Sequence, residues 1–86
     1  MLTICFDVDG TLITPQGPRY EIINLLMTLK QLGHTIYVWS GGGADYAEYW
    51  VKNLGLDVPA LPKGEIKPDI AVDDAEVSLG VVDLKV

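Results

Sequence analysis

The strongest constraint on the fold is an alternation of strand-like and helix-like segments along the chain. Residues 2–8 are a short run rich in strand-forming side chains, and residues 20–32 place apolar side chains at helical spacing before Gly33. Residues 35–39 form a second β-branched and aromatic run, and residues 45–54 form a second helical pattern. Because strands that alternate with helices build right-handed βαβ units, we predict an α/β fold with a parallel sheet.

Shorter segments complete the predicted sheet. Residues 11–19 contain two prolines and a glycine, so we expect a loop without regular structure there. Residues 58–61 indicate a brief third strand, residues 70–72 a fourth and residues 81–84 a fifth. We therefore predict a single domain over residues 1–86, three-layer and Rossmann-like, with a small, mostly parallel sheet.

Composition limits the classes of partner. The 86 residues include 12 acidic and only 6 basic side chains, with a net charge of −6. Such a surface repels polyphosphates and has too few cations for a basic stripe, so we do not expect generic binding to duplex nucleic acid. A single cysteine cannot form an internal disulfide or a cysteine-based zinc site, and it fits a reducing compartment. No signal peptide or membrane-spanning run is recognisable, so we expect a cytoplasmic protein without membrane attachment.

Acidic, hydroxyl and glycine residues follow three of the predicted strands. They are Asp7, Asp9, Gly10 and Thr11 at the end of the first strand, Ser40 and Gly41 at the end of the second, and Asp73 and Asp74 at the end of the fourth. In open parallel sheets, ligands bind outside the carboxyl ends of the strands. Clustered carboxylates repel one another unless a cation is bound, and hard oxygen ligands of this kind suit Mg²⁺. The sequence therefore predicts a magnesium site at this edge of the sheet.

Three of these strand ends resemble known motifs. The run Ile4-Cys5-Phe6-Asp7-Val8-Asp9-Gly10-Thr11 resembles the first signature of the haloacid dehalogenase superfamily, an apolar strand followed by Asp-x-Asp-Gly-Thr. Ser40 resembles the second signature, and Val72-Asp73-Asp74 resembles the acidic fourth. The resemblance spans residues 4 to 74 and implies a reduced haloacid dehalogenase-like domain with Mg²⁺-dependent phosphomonoesterase activity. The sequence has no insertion that corresponds to the cap domain of larger members.

The resemblance implies a role for each motif residue. Asp7 would attack phosphorus to form an aspartyl-phosphate, and Asp9 would protonate the leaving oxygen and later deprotonate water. Mg²⁺ would be held by the Asp7 carboxylate, the Asp9 carbonyl oxygen and Asp73, while Asp74 would order the waters of the metal. Phosphoryl oxygens would be bound by Ser40, Thr11 and the backbone N–H groups of Gly10 and Gly41.

The third family signature is a lysine, and the sequence offers both Lys63 and Lys67. Lys67 precedes the fourth strand, so at ~3.3 Å per residue it is expected near the opposite edge of the sheet, roughly 20 Å from Asp73. Lys63 follows the third strand and should emerge at its carboxyl end, which favours Lys63. The connection from there to the fourth strand is shorter than a helical crossover requires, and this departs from the family pattern.

Four further residues carry weaker signals. Cys5 lies within an apolar strand and His34 lies at the edge away from the carboxylates, so a structural role is favoured for both. Tyr46, near the glycine turn, is a candidate for the rim of the site, although an ordinary helix position is favoured. Arg19 begins the first helix, where a cation opposes the helix dipole, and a solvated side chain is favoured over a contact with a substrate anion.

Without a cap, the predicted site is open. It suits a small phosphorylated metabolite or an accessible phosphate on a larger partner. The alternative is a degenerate phosphate- or magnesium-binding module that has lost turnover. We also expect the missing C-terminal helix to leave one sheet face bare, and a partner subunit, for example in a homodimer, or a neighbouring segment to cover it.

Overall fold

The sheet has five strands, and every neighbouring pair is parallel. The structure is a computed structural model and describes residues 1–86. In chain order the elements are β1 (Thr3–Asp7), β2 (Ile13–Thr14), β3 (Gly17–Pro18), α1 (Tyr20–Gln31), β4 (Thr35–Ser40), α2 (Ala44–Asn53), β5 (Ala60–Pro62), β6 (Ile70–Asp73) and β7 (Val82–Lys85). The order across the sheet is β5-β4-β1-β6-β7. The predicted α/β class and parallel sheet are confirmed.

Both helices pack on the same face of the sheet. The β1–α1–β4 and β4–α2–β5 connections step in the same direction across the sheet, and right-handed crossovers then place both helices on one side. Their shared core contains Ile4, Phe6, Val8, Leu12, Ile22, Ile23, Leu26, Ile36, Val38, Ala47, Val51, Leu56 and Val72. The helices have 12 and 10 residues, and neither is long and apolar enough to cross a bilayer.

The opposite face is covered by irregular chain, so the expected third layer contains no helix. Cys5, Trp39 and Ala71 form a second buried cluster, against which Ile66 and Leu79 pack from the β5–β6 and β6–β7 connections. Cys5 and Trp39 have no exposed surface. Of the two predicted ways to cover this face, the structure shows neighbouring segments, which are sufficient to bury the side chains at its centre without a helix.

Apolar exposure in the sheet is concentrated at the edge strand β7. Val82 and Leu84 are 56% and 44% exposed. Neither helix reaches this edge, because α1 and α2 follow the crossovers toward β4 and β5. A homodimer, which was expected at the sheet face without a helix, stays a prediction.

The segment 11–19 differs from its prediction as a loop. It contains the antiparallel hairpin of β2 and β3, and the completely buried side chain of Leu12 anchors the hairpin to the core. Proline is tolerated in such a short edge pairing because it need not donate to a neighbouring strand. The prolines and the glycine therefore predicted a loop where the structure has two strands of two residues each.

Candidate active site

Three carboxylates converge at the carboxyl edge of the sheet. The parallel register pairs Phe6 with Val72, so the next residues, Asp7 and Asp73, end adjacent strands side by side. One carboxylate oxygen from each of Asp7, Asp73 and Asp74 lies within 4.8 Å of the other two. Asp7 and Asp73 are 5% and 2% exposed. The structure thus brings together the acidic residues that the strand ends predicted, and we call these three residues the acidic trio.

Lys63 is the cation at the acidic trio. Its Nζ donates to Asp7 Oδ1 at 3.2 Å and lies 2.7 Å from Asp73 Oδ2. The second contact is a short ion pair with a buried carboxylate oxygen. Lys67 lies before β6, at the other end of the sheet. Of the two candidate lysines, the structure places Lys63 at the carboxylates.

One lysine does not neutralise the acidic trio. Burial and, second, the neighbouring charge of Asp73 raise the pKa of Asp7, Lys63 opposes both effects, and the net result is a pKa of about 6. Burial lowers the pKa of Lys63, but hydrogen bonds and charge from Asp73 and Asp7 outweigh burial, so the net shift is upward. With all three carboxylates ionised, the cluster would keep two formal negative charges.

The donor set fits a hard divalent cation. Every side-chain donor of the acidic trio is a carboxylate oxygen, which suits Mg²⁺, Ca²⁺ or Mn²⁺ better than softer metals. The buried Asp73 Oδ2, which also contacts Lys63, is one such donor. The Asp9 carboxylate is outside the trio, and the predicted contribution of its carbonyl oxygen stays a prediction.

Gly10 and Thr11 make contacts that differ from the predicted phosphate binding. The Gly10 N–H already donates to the Ile13 carbonyl at 2.7 Å. Gly10 has φ +83°, and a Cβ at this position would overlap the Asp74 carboxylate. Thr11 is completely buried, with its hydroxyl 3.3 Å from Asp7 Oδ2 and 3.5 Å from Asp74 Oδ1. The Gly10 N–H and the Thr11 hydroxyl are thus engaged within the protein, and the contact of these two residues with phosphate stays a prediction.

Ser40 and Gly41 lie at the end of β4 with free donors. The Ser40 Oγ accepts the Gly42 N–H at 3.0 Å, and its own O–H has no protein acceptor. The exposed Gly41 makes no hydrogen bond through its N–H. Helix α2 begins immediately afterwards with Gly43 as N-cap and without a side-chain cap, so its first-turn N–H groups are also free. This side of the site can receive an anion.

Tyr46 and Arg19 were assigned peripheral positions from the sequence, yet both contact the loop after β1. Tyr46 donates its hydroxyl to Asp9 Oδ1 at 2.8 Å, and this hydrogen bond raises the pKa of Tyr46. Arg19 Nη1 donates to the carbonyl oxygens of Gly10 at 2.9 Å and Val86 at 3.1 Å. The unfavourable dipole position of Arg19 was the available signal, and its explanation is this pair of backbone contacts.

Cys5 and His34 have structural surroundings. Burial raises the pKa of Cys5 to about 12, so its thiol stays protonated and unreactive at neutral pH. The Nδ1 atom of His34 accepts the Leu2 N–H at 3.2 Å. Neither side chain makes a hydrogen bond to a residue of the acidic trio.

Comparison with protein-family models, curated proteins and solved structures found no match for this chain. The resemblance to the haloacid dehalogenase superfamily therefore rests on the motif residues themselves. Membership in that family stays a prediction, whereas the clustering of Asp7, Asp73, Asp74 and Lys63 is an observation on the structure.

Proposed function

We propose that this chain is a phosphomonoesterase of the haloacid dehalogenase type that uses Mg²⁺ and Asp7 as the nucleophile. One observation carries the proposal: Asp7 is a buried carboxylate beside two further carboxylates and a lysine. The adjacent strand β4 ends at Ser40, and the free donors of Ser40, Gly41 and the first turn of α2 lie at this end. A nucleophile, a cation site and an anion site at one edge suit phosphoryl transfer.

The proposed reaction has two displacements. In the first, an oxygen of Asp7 bonds to phosphorus while the bond from phosphorus to the leaving oxygen breaks, which gives an aspartyl-phosphate. Asp9 transfers its proton to the leaving oxygen. In the second displacement, Asp9 takes a proton from water as the water oxygen attacks phosphorus, and inorganic phosphate and the Asp7 carboxylate are released.

The remaining residues would bind Mg²⁺ and the phosphoryl oxygens. Asp7, Asp73 and Asp74 would hold Mg²⁺, which, when bound, offsets the repulsion between an anionic nucleophile and an anionic phosphate. Lys63 supplies a fixed positive charge beside Asp7. Ser40, Gly41 and the first turn of α2 would donate hydrogen bonds to phosphoryl oxygens, where preorganised donors stabilise the charge of the transition state.

The substrate class that we propose follows from the exposure of the site. Asp9 and Asp74 are exposed, and no inserted domain covers them. An open site of this kind suits a small phosphorylated metabolite or an accessible phosphate on a larger partner.

The test is hydrolysis of p-nitrophenyl phosphate with Mg²⁺ and with EDTA. We expect Mg²⁺-dependent turnover that Asp7→Asn lowers by at least about 1,000-fold, because the amide cannot act as the nucleophile. The matched control is Asp57→Asn, whose carboxylate is fully exposed and pairs with Lys30. Turnover by Asp7→Asn equal to that of Asp57→Asn would contradict the proposal. Phosphate or Mg²⁺ binding without turnover in the unmodified chain would instead indicate the degenerate binding module.

A further inference from the structure

We propose that Tyr46 is a positioning residue that holds Asp9 in the orientation needed for proton transfer. The inference rests on the proposed function, in which Asp9 is the general acid and base. Asp9 lies on the exposed loop after β1 and makes no salt bridge within the structure. Its one side-chain partner is the Tyr46 hydroxyl, 2.8 Å from Oδ1.

The position of the Tyr46 ring is determined by the start of α2. Helical side chains point back toward the helix N-terminus, so a residue in the first turn of α2 reaches the edge where β1 ends. The ring lies against Gly42, where a Cβ would be 3.3 Å from Tyr46 Cδ2. Gly42 and Gly43 are in turn held by hydrogen bonds to the Ser40 side chain and carbonyl. The hydroxyl is therefore presented to Asp9 from a constrained ring.

The hydrogen bond makes the two oxygens of the Asp9 carboxyl group inequivalent. Oδ1 accepts the phenolic proton, and Oδ2 has no partner in the structure. The acidic form of Asp9 would thus carry its proton on Oδ2 and deliver it to the leaving oxygen as the bond to phosphorus breaks. Tyr46 keeps its own proton throughout, so it acts by orienting Asp9 and not as an acid.

This role predicts a dependence on the leaving group. A p-nitrophenolate is a weak base and departs without a proton, whereas phenolate is more basic and benefits from general acid catalysis. Loss of the Tyr46 hydroxyl should therefore slow the release of phenol and leave the release of p-nitrophenol nearly unchanged. A residue that only stabilised the fold would affect both substrates equally.

The experiment compares Tyr46→Phe with the unmodified chain in single turnover, since phenol release then reports the first displacement alone. The substitution keeps the ring against Gly42 and removes only the hydroxyl. With phenyl phosphate we expect the rate to fall about 10-fold, and with p-nitrophenyl phosphate by less than about twofold. The control is Tyr49→Phe, an exposed tyrosine of the same helix whose hydroxyl makes no hydrogen bond to Asp9. Tyr49→Phe should change neither rate.

A double variant tests whether Tyr46 acts through Asp9. With phenyl phosphate, Asp9→Asn combined with Tyr46→Phe should be no slower than Asp9→Asn alone, because the amide cannot transfer a proton however Tyr46 orients it. An additive loss, an equal loss on both substrates or no loss on either would overturn the inference while leaving the proposed function intact. If the unmodified chain hydrolyses neither substrate with Mg²⁺, the proposed function fails and the inference fails with it.

Discussion

The two ends of the parallel sheet differ in how they accommodate polar side chains. At the amino end, two polar side chains accept hydrogen bonds from backbone N–H groups. The Asp69 carboxylate accepts the Thr3 N–H at 2.7 Å, and His34 Nδ1 accepts the Leu2 N–H at 3.2 Å. Hydrogen bonds of this kind join the strand starts and stabilise the fold by about 1 kcal/mol each.

At the carboxyl end, the buried carboxylates are not fully compensated. Asp7, Asp73 and Asp74 lie together, and Lys63 is the one cation that both Asp7 and Asp73 contact. Buried, mutually repelling carboxylates reduce stability unless a ligand compensates for them. The comparison indicates that the amino end is organised for stability, whereas the carboxyl end keeps an unfavourable cluster that a bound cation would relieve.

The largest expected difference between the two ends is in activity. Asp73→Asn removes one of the carboxylates that we propose to hold Mg²⁺, so we expect turnover to fall about 1,000-fold and the Mg²⁺ concentration for half-maximal activity to rise. Asp69→Asn, the same change at the amino end, should leave turnover within about twofold and lower stability by about 1 kcal/mol. A Mg²⁺ titration of both variants with p-nitrophenyl phosphate measures this contrast. Equal losses in both variants would remove the distinction between the ends.

The second difference is in the pH dependence of stability without metal. Because the folded pKa of Asp7 is about 6 and its ordinary value is 3.8, the unfolded chain loses this proton first as pH rises. Asp7 should therefore lower the free energy of unfolding by up to about 3 kcal/mol between pH 4 and pH 7.

Urea unfolding in EDTA measures the effect of Asp7. Relative to the unmodified chain, Asp7→Asn should gain stability as pH rises through this range, and added Mg²⁺ should stabilise the unmodified chain at pH 7 much more than the variant. A constant difference between the two proteins from pH 4 to pH 7 would show that Asp7 is not destabilised by burial.

The smallest expected difference concerns hydroxyl groups. Thr11→Val removes the buried hydroxyl beside Asp7 and Asp74, so we expect a loss of about 1 kcal/mol in stability and about 10-fold in turnover. Thr35→Val, at the exposed amino end of β4, should change stability by less than about 0.5 kcal/mol and leave turnover unchanged. Thermal unfolding and steady-state kinetics on both variants test the pair. Normal turnover by Thr11→Val would exclude a positioning role for Thr11.

The clustering of the acidic residues could be predicted because it needs only strand positions and a parallel sheet. Asp7 and Asp73 each end an apolar run, and parallel strands share a carboxyl edge. The position of Lys63 followed from the same reasoning, since it comes directly after β5. These predictions succeeded without side-chain detail because strand direction alone decides which end of the sheet a residue occupies.

The contacts of individual side chains could not be predicted in this way. Thr11 and Gly10 are occupied within the loop because the hairpin of β2 and β3 folds back on it, and two-residue strands leave almost no periodic signal. Tyr46 contacts Asp9 because of where α2 starts relative to β1, a distance of 37 residues along the chain. Such contacts depend on the assembled loop and helix, which local patterns do not specify.

Local patterns were therefore sufficient for the α/β class, the positions of the main strands and helices, and the edge at which the carboxylates lie. The packed chain was required to show that irregular segments bury Trp39, that Lys63 contacts two carboxylates at once and that Tyr46 contacts Asp9. The physical reason is the range of the interactions involved. Propensity and periodicity act over a few neighbouring residues, whereas burial and electrostatic pairing are decided by segments that meet only after folding.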